Sequence, residues 1–152
     1  MGTEKTSWEE AKADILGLFM VTKLIEMGEI TNITSEDAMA TYIAGILRSV
    51  RFGAASSHGK ANMMCFNYME KAGAFSRDDK GQYVIDFAKA KEAMNGWAAL
   101  ILQTQGDGNV ELRRNTEKRT VESLRHFRPT LTGLTEPAFL VTLPLCREKK
   151  CC

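Results

Sequence analysis

The sequence predicts an all-α protein: a helical lobe of about four main helices with a short hairpin-like insertion and an irregular basic tail. Apolar residues recur at three- and four-residue spacing over most of the first 106 residues. Candidate caps and glycines mark where these periods begin and end. Turn chemistry typical of a short hairpin occurs near residue 80. The length of 152 residues suits one domain with its own core.

The first two helices are predicted from apolar periods with recognisable ends. Residues 8–27 end at Gly28 and are apolar on nearly every side, which is typical of a buried helix. Ser7 and Glu10 have the spacing of a capping box at its start. The second helix is predicted over residues 35–51, with Thr34 or Ser35 as its cap. Its apolar stripe consists of Met39, Tyr42, Ile43, Ile46, Leu47 and Val50.

The third and fourth helices flank the predicted hairpin. Ser56 or Ser57 can cap a helix that continues to Gly73. A turn is predicted at residues 79–81, followed by a short extended stretch. Asp86 is a suitable cap for the fourth helix, which is predicted to end near residue 106. The four helices with one small insertion favour an all-α fold over an α/β fold.

The last forty residues differ from the rest in composition. All three prolines lie there, and residues 113–152 carry nine Lys and Arg against four acids, whereas residues 1–112 carry eleven against fifteen. We therefore predict a helical domain over residues 1–112 and a divergent, partly disordered basic tail over residues 113–152. Within the tail, only residues 138–145, AFLVTLPL, have the composition to pack.

Composition excludes several function classes. A net charge of +1 gives no general attraction to nucleic acid or to a membrane surface. Neither a membrane-spanning run nor a secretory leader is recognisable, so a cytoplasmic location is expected. The four cysteines form neither a disulfide framework nor a zinc knuckle, and Cys65 is expected to be a small buried hydrophobe. A lipid on Cys151 or Cys152 is a weaker alternative, so membrane attachment is not expected.

Two groups of residues could carry chemistry. Glu10 and Asp14 place like charges on one helix face, which is mildly unfavourable unless another group holds them. His58 is predicted in the first turn of the third helix, where the helix dipole favours the neutral imidazole. It is either a structural cap residue or a hydrogen-bond donor to a substrate carbonyl. Arg51 and Lys60, with nearby Arg48, form a solvated basic face or meet a substrate carboxylate.

Two segments resemble the dipeptidyl peptidase III family of zinc exopeptidases, especially its bacterial members and the plant members fused behind a Nudix domain. They are EEAKAD at residues 9–14 and LRSVRFGAASSHGKANMMCFNYMEKAGAF at residues 47–75. In that family one helix carries H-E-x-x-x-H, and a second carries E-E-C-R-A-[DE]. EEAKAD is similar to the second motif, with Ala11 and Lys12 in place of its Cys and Arg. The resemblance covers roughly residues 8–111.

The resemblance implies roles for individual residues. Glu10 corresponds to the glutamate ligand of the zinc ion, and Glu9 and Asp14 correspond to carboxylates that orient the histidine ligands. His58 corresponds to the histidine that stabilises the tetrahedral intermediate of peptide hydrolysis. The weaker candidates for binding substrate are Arg51, Lys60 and Asn62.

The chain departs from the family pattern in one respect that matters for activity. No histidine precedes residue 58, so the H-E-x-x-x-H helix is missing. Zinc is therefore expected only in a complete parent protein or complex, with an upstream segment or separate chain as partner and a peptide as substrate. Alone, the chain should be inactive. The alternative is a non-catalytic helical interaction or scaffold module. A Nudix motif is not found, so Nudix activity is not assigned.

Overall fold

The computed structural model describes residues 3–50 and 55–131, and the side chains of residues 6–50, 55–120 and 122. The predictions about Arg51, the 138–145 segment and the last three cysteines lie outside these residues. The described helices are α1 (Thr3–Glu26), α2 (Ser35–Val50), α3 (Ser57–Lys71), α4 (Phe87–Gly106) and α5 (Val110–Leu131), and the strands are β1 (Phe75–Arg77) and β2 (Tyr83–Ile85). The predicted all-α class is confirmed.

Helix α1 begins earlier than its sequence pattern indicates. Because it starts at Thr3, Ser7 lies within the helix, where the following N–H groups already have intrahelical partners. Ser7 is fully buried, and its hydroxyl donates a hydrogen bond to Glu117 on α5 at 3.3 Å. The capping-box prediction for Ser7 and Glu10 is therefore wrong.

Only one side of α1 enters the core. Trp8, Ala11 and Ile15 are buried, whereas Met20 is 61% exposed and Met27 is 71% exposed. The prediction of a helix buried all round is wrong, since these two apolar side chains are largely exposed to solvent. None of the described helices is long and apolar enough to span a membrane.

Short polar contacts fix where helices α2, α3 and α4 begin. The Ser56 and Asp86 side chains each accept a hydrogen bond from the N–H three residues ahead, at 3.0 and 3.1 Å, as their cap assignments predict. For α2, Thr34 is the capping residue, and Ser35 is the first helical residue. The Asp37 N–H donates to the Thr34 hydroxyl, and the Asp37 carboxylate accepts from the Thr34 N–H.

The predicted hairpin is present. Strands β1 and β2 pair antiparallel. The Asp78 carboxylate accepts hydrogen bonds from the N–H groups of Lys80 and Gln82, and Gly81 has a φ of 78°. The turn lies where it was predicted, at residues 79–81, but the carboxylate that holds it is that of Asp78 and not that of Asp79.

Aromatic rings join α1, α3 and α4 at the centre of the core. The Trp8 and Trp97 rings meet edge to face with centroids 5.9 Å apart, and the Tyr68 ring lies 5.0 Å from that of Trp97 at 34°. Gly96 permits this arrangement, because a Cβ at that position would lie 2.5 Å from the Tyr68 hydroxyl oxygen. The close approach of α3 and α4 therefore depends on a residue without a side chain.

Helix α5 corrects the prediction of an irregular tail for residues 113–131. The Asn109 side chain accepts a hydrogen bond from the Leu112 N–H at 2.9 Å at the start of this helix. Its first turns then consist mainly of Glu, Leu, Arg and Lys, which are good helix formers. The boundary predicted near Leu112 between a helical domain and an irregular tail was based on net charge and proline content. A net positive charge does not by itself prevent a segment from forming a helix. Helix α5 packs mainly on α3, and Thr120 is buried there.

Candidate functional site

The structure brings together Glu10 and His58, which are 48 positions apart in the sequence. Helices α1 and α3 pack closely along their length. Glu10 lies in the third turn of α1, and His58 is the second residue of α3. His58 Nδ1 lies 3.2 Å from Glu10 Oε2, with the Glu10 side chain 31% exposed and that of His58 70% exposed. A carboxylate and an imidazole thus meet at the edge of the core.

Asp14 completes this acidic and imidazole cluster. Burial raises the pKa of Asp14 above its ordinary value, and the Glu10 charge raises it further, whereas the His58 charge opposes the rise. The Glu10 carboxylate of this like-charged pair contacts an imidazole from the neighbouring helix. The structure thus places His58 beside this acidic pair, in contact with Glu10.

A buried polar contact lies beside Asp14. The Tyr42 hydroxyl and the Cys65 thiol are 3.3 Å apart, joining α2 to α3. Burial raises the pKa of Cys65 to about 12 and also raises that of Tyr42, and the Asp14 charge contributes to both. The thiol is therefore protonated at neutral pH and unreactive. The prediction that Cys65 is a buried hydrophobe is confirmed.

Glu9 is held on another side of α1. Its Oε1 accepts a hydrogen bond from Gln105 Nε2 at 2.7 Å, and its Oε2 lies 2.5 Å from Lys12 Nζ. These contacts direct the carboxylate toward the end of α4. Glu9 therefore does not join the cluster of Glu10, Asp14 and His58 in this structure.

The weaker substrate candidates are distributed differently. Asn62 follows His58 by one turn of α3 and donates a hydrogen bond to the Ser49 hydroxyl at 2.8 Å, which ties α3 to α2. Lys60 is two residues from His58, so helix geometry places it on a different face. Arg51 lies outside the described residues.

The donor groups of the described residues do not by themselves fit a zinc ion. Zinc requires three or four anionic oxygen, thiolate or imidazole ligands around one point. Among the described residues, no group of three or more His, Cys, Asp and Glu side chains is disposed to hold a metal ion. Glu10 and His58 instead contact each other. A metal centre that includes Glu10 thus needs ligands from outside the described residues.

Two known proteins are similar to this chain, one by sequence and one by structure. Nudix hydrolase 3 of Arabidopsis thaliana is 38% identical over 104 residues, which are 68% of this chain and 14% of that protein. The solved structure of DPP III from Caldithrix abyssi is 30% identical, with a TM-score of 0.74 over 84% of this chain and 25% of the other. The chain has the fold of that part of DPP III. No protein-family profile matches the sequence.

The chain spans only a fraction of either relative, one seventh of the plant protein and one quarter of the DPP III chain. The name of the plant protein refers to Nudix hydrolysis and not to peptide hydrolysis, so it lends no support to a peptidase activity. What these comparisons establish is a shared fold for the helical lobe.

Several residues around the cluster could not be identified from sequence. Tyr42 was predicted as part of an apolar stripe, and its hydroxyl contact with Cys65 has no local signal. Beside the cluster, Glu9 contacts Gln105, 96 positions later in the sequence, and this contact depends on how α4 returns to α1. Helical periodicity identifies a buried face but not which polar groups from other helices will meet it.

Replacing Asp14 by Asn should stabilise the chain at neutral pH. The raised pKa of Asp14 means that its carboxylate is less favourable in the folded than in the unfolded protein. Its contribution to stability is therefore greatest below the ordinary pKa and is lost as pH rises through the raised value. Urea unfolding from pH 3 to pH 7 should show the variant gaining stability relative to the parent as pH increases.

The control for this experiment is Asp37→Asn, which should show the opposite trend. Hydrogen bonds from the Thr34 backbone and side chain hold the pKa of Asp37 below its ordinary value. Its stabilisation is present above the ordinary pKa and is lost as pH falls. If both variants showed the same pH trend, the unfavourable environment assigned to Asp14 would be incorrect.

Proposed function

We propose that this chain supplies part of the active site of a zinc-dependent dipeptidyl peptidase, which releases dipeptides from peptide N-termini. The proposal depends mainly on one observation: Glu10 and His58, which the family resemblance relates to metal binding and catalysis, are 3.2 Å apart on adjoining helices. The fold shared with DPP III supports it.

Glu10 and Asp14 would hold the metal side of this site. Glu10 offers an anionic oxygen ligand from a rigid helix, and Asp14 would orient a neighbouring histidine ligand through its second nitrogen. Glu9 is proposed to orient another such histidine. It would do so by exchanging its present contact with Gln105 or Lys12. A bound zinc ion would supply polarisation of the peptide carbonyl and activation of water.

His58 would act on the substrate carbonyl. A neutral imidazole can donate a hydrogen bond to the oxygen on which negative charge develops during peptide hydrolysis. Its position in the first turn of α3 and its exposed side chain suit this role. The contact between Glu10 and His58 must open before either residue acts, so we propose that it is the arrangement without metal and substrate.

The missing ligands define the required partner. It is a segment or chain with an H-E-x-x-x-H helix that places two histidines beside Glu10 and a glutamate as general base. The α1 and α3 surfaces around Glu10 would receive it. We also propose that Arg51, Lys60 and Asn62 contribute at most to peptide binding at the edge of the site.

A second candidate function is a helical interaction module without catalysis. It is favoured by the lack of a metal-holding group among the described side chains and by the exposed Met20 and Met27 on α1. In that case Glu10 and His58 would simply form a surface pair between two helices, and peptide hydrolysis would not appear in any complex.

Complementation distinguishes these functions. The chain is produced alone and together with the remainder of a DPP III that carries H-E-x-x-x-H and lacks the segment corresponding to this chain. We expect the purified complex to contain one zinc ion per assembly and to hydrolyse a dipeptidyl-naphthylamide. The isolated chain should do neither, because its ligand set is incomplete.

The outcomes are interpreted together with complex formation, measured by size-exclusion chromatography. A stable complex with neither zinc nor hydrolysis would contradict the peptidase function and favour the interaction module. Strong hydrolysis by the isolated chain would contradict the assignment of an incomplete site.

A further inference from the structure

A cavity separate from the Glu10 cluster lies where the start of α1 meets the end of α4 and the start of α5. Its volume is about 300 Å³, and its wall includes exposed residues of the loop that joins α4 to α5. It is therefore accessible from solvent and has the size of a small-ligand site. The lining residues are Trp8, Glu9, Thr104, Gln105, Gly108, Asn109, Val110 and Arg113.

Two residues of this wall carry buried hydrogen-bond donors without an acceptor. Neither the indole N–H of Trp8 nor the Nε–H of Arg113 has a partner among the described residues. Trp8 is only 1% exposed. A buried donor left unpaired is unfavourable, because it has lost its hydrogen bonds to water. Both residues line the cavity, so an acceptor bound there would be well placed to pair with them.

The charges around the cavity favour an anionic acceptor. Arg113 carries a positive charge, and its Nε–H has no hydrogen-bond partner among the described residues. The N-terminus of α5, capped by Asn109, adds the positive end of a 22-residue helix dipole. The Glu9 carboxylate forms an ion pair with Lys12 and accepts a hydrogen bond from the Gln105 side chain.

We propose that this cavity binds a small carboxylate, which accepts hydrogen bonds from the Arg113 guanidinium and the Trp8 indole. The two coplanar oxygens of a carboxylate match the fork of a guanidinium. The Trp8 ring and Val110 provide apolar surface for a short aliphatic group. None of these contacts involves Glu10, Asp14 or His58, so the inference stands apart from the proposed peptidase function.

Acetate is the probe that tests this site on the isolated chain. The sequence has two tryptophans, Trp8 and Trp97, so a nitrogen-proton correlation NMR spectrum contains two indole signals. Trp8→Phe removes one signal and so assigns both. We expect sodium acetate at pH 7 to shift the Trp8 signal saturably and to leave that of Trp97 nearly unchanged. Sodium chloride at equal ionic strength should not reproduce this shift.

Arg113→Gln and Arg114→Gln form a matched pair for this titration. Each removes one positive charge from α5, but Arg114 is exposed and does not line the cavity. Loss of charge-assisted hydrogen bonds should weaken acetate binding about tenfold or more in Arg113→Gln. Binding should be almost unchanged in Arg114→Gln.

Three results would overturn the assignment. They are an unmoved Trp8 signal in the parent chain, an equal shift with chloride, and equal acetate binding by the two arginine variants. In each case the unpaired donors would have to be satisfied by something other than a carboxylate. Because the titration needs neither zinc nor the H-E-x-x-x-H partner, its failure is distinguishable from failure of the peptidase proposal.

Discussion

Glu10→Gln is expected to abolish peptide hydrolysis in the complex with the H-E-x-x-x-H partner and to weaken zinc binding more than about a hundredfold. Changes to groups that only orient metal ligands already cost about 10–100-fold in affinity, and an amide is a much poorer zinc ligand than a carboxylate. Glu10 lies at the edge of the core with its side chain 31% exposed, so the fold should persist. Zinc content, hydrolysis rate and thermal unfolding of the complex together measure the effect.

Glu36→Gln is the matched control, because Glu36 is an exposed acid in the first turn of α2. It should retain zinc and full activity. Unaltered zinc affinity in Glu10→Gln would refute the metal-binding role of Glu10. The Glu10–His58 contact would then be a pair between helices, as the interaction-module alternative requires.

Trp97→Ala is expected to lower the free energy of unfolding of the isolated chain by about 3–5 kcal/mol. Trp97 is 1% exposed and contacts the rings of Trp8 and Tyr68, so truncation leaves a large cavity where α1, α3 and α4 meet. That loss is a large part of the roughly 5–15 kcal/mol by which a domain is stable. Urea unfolding followed by circular dichroism would measure it without relying on tryptophan fluorescence.

Leu102→Ala is the control for this truncation. Leu102 lies on the same helix but is 49% exposed, so its removal should change stability by less than about 1 kcal/mol. Trp97→Phe should be intermediate, since it keeps a ring in the core and removes an indole N–H that has no acceptor among the described residues. Similar losses in the alanine variants would show that the core is not centred on Trp97.

The helices were predictable where local signals were strong. The caps at Ser56 and Asp86 and the position of the turn at residues 79–81 follow from side chains that bond neighbouring backbone, so sequence is sufficient to locate them, although Asp78 and not Asp79 holds the turn. The start of α1 was not predictable, because Ser7 has the pattern of a cap and yet is recruited by Glu117 from a distant helix.

Helix α5 was missed for a related reason. Its charge balance differs from that of the preceding helices, but helix formation depends on propensity and capping, which residues 109–120 satisfy. Charge composition describes the solvent-exposed face of this segment. It does not show that the segment packs on α3, which requires the three-dimensional arrangement.

The candidate site could be anticipated only in part. The unfavourable spacing of Glu10 and Asp14 indicated that another group must approach them, and the first-turn position of His58 was correct. The resemblance placed Glu10 and His58 at one active site, but their direct contact across two helices was not predicted. The Glu9 carboxylate is directed toward Gln105 and away from the cluster, and the N–H donors of Trp8 and Arg113 lack partners among the described residues. Both features arise from packing among α1, α4 and α5, which no local pattern encodes.

The absence of a side chain at Gly96 also constrains how this lobe can diverge. The space that a Cβ at position 96 would require is occupied by the Tyr68 hydroxyl. A substitution at position 96 therefore requires the side chain at position 68 to move or to be replaced. A larger residue at position 96 would have to displace a ring that stacks on Trp97, or follow a prior exchange of Tyr68 for a shorter residue. The order in which substitutions accumulate at these two positions is therefore restricted by the geometry of a single contact.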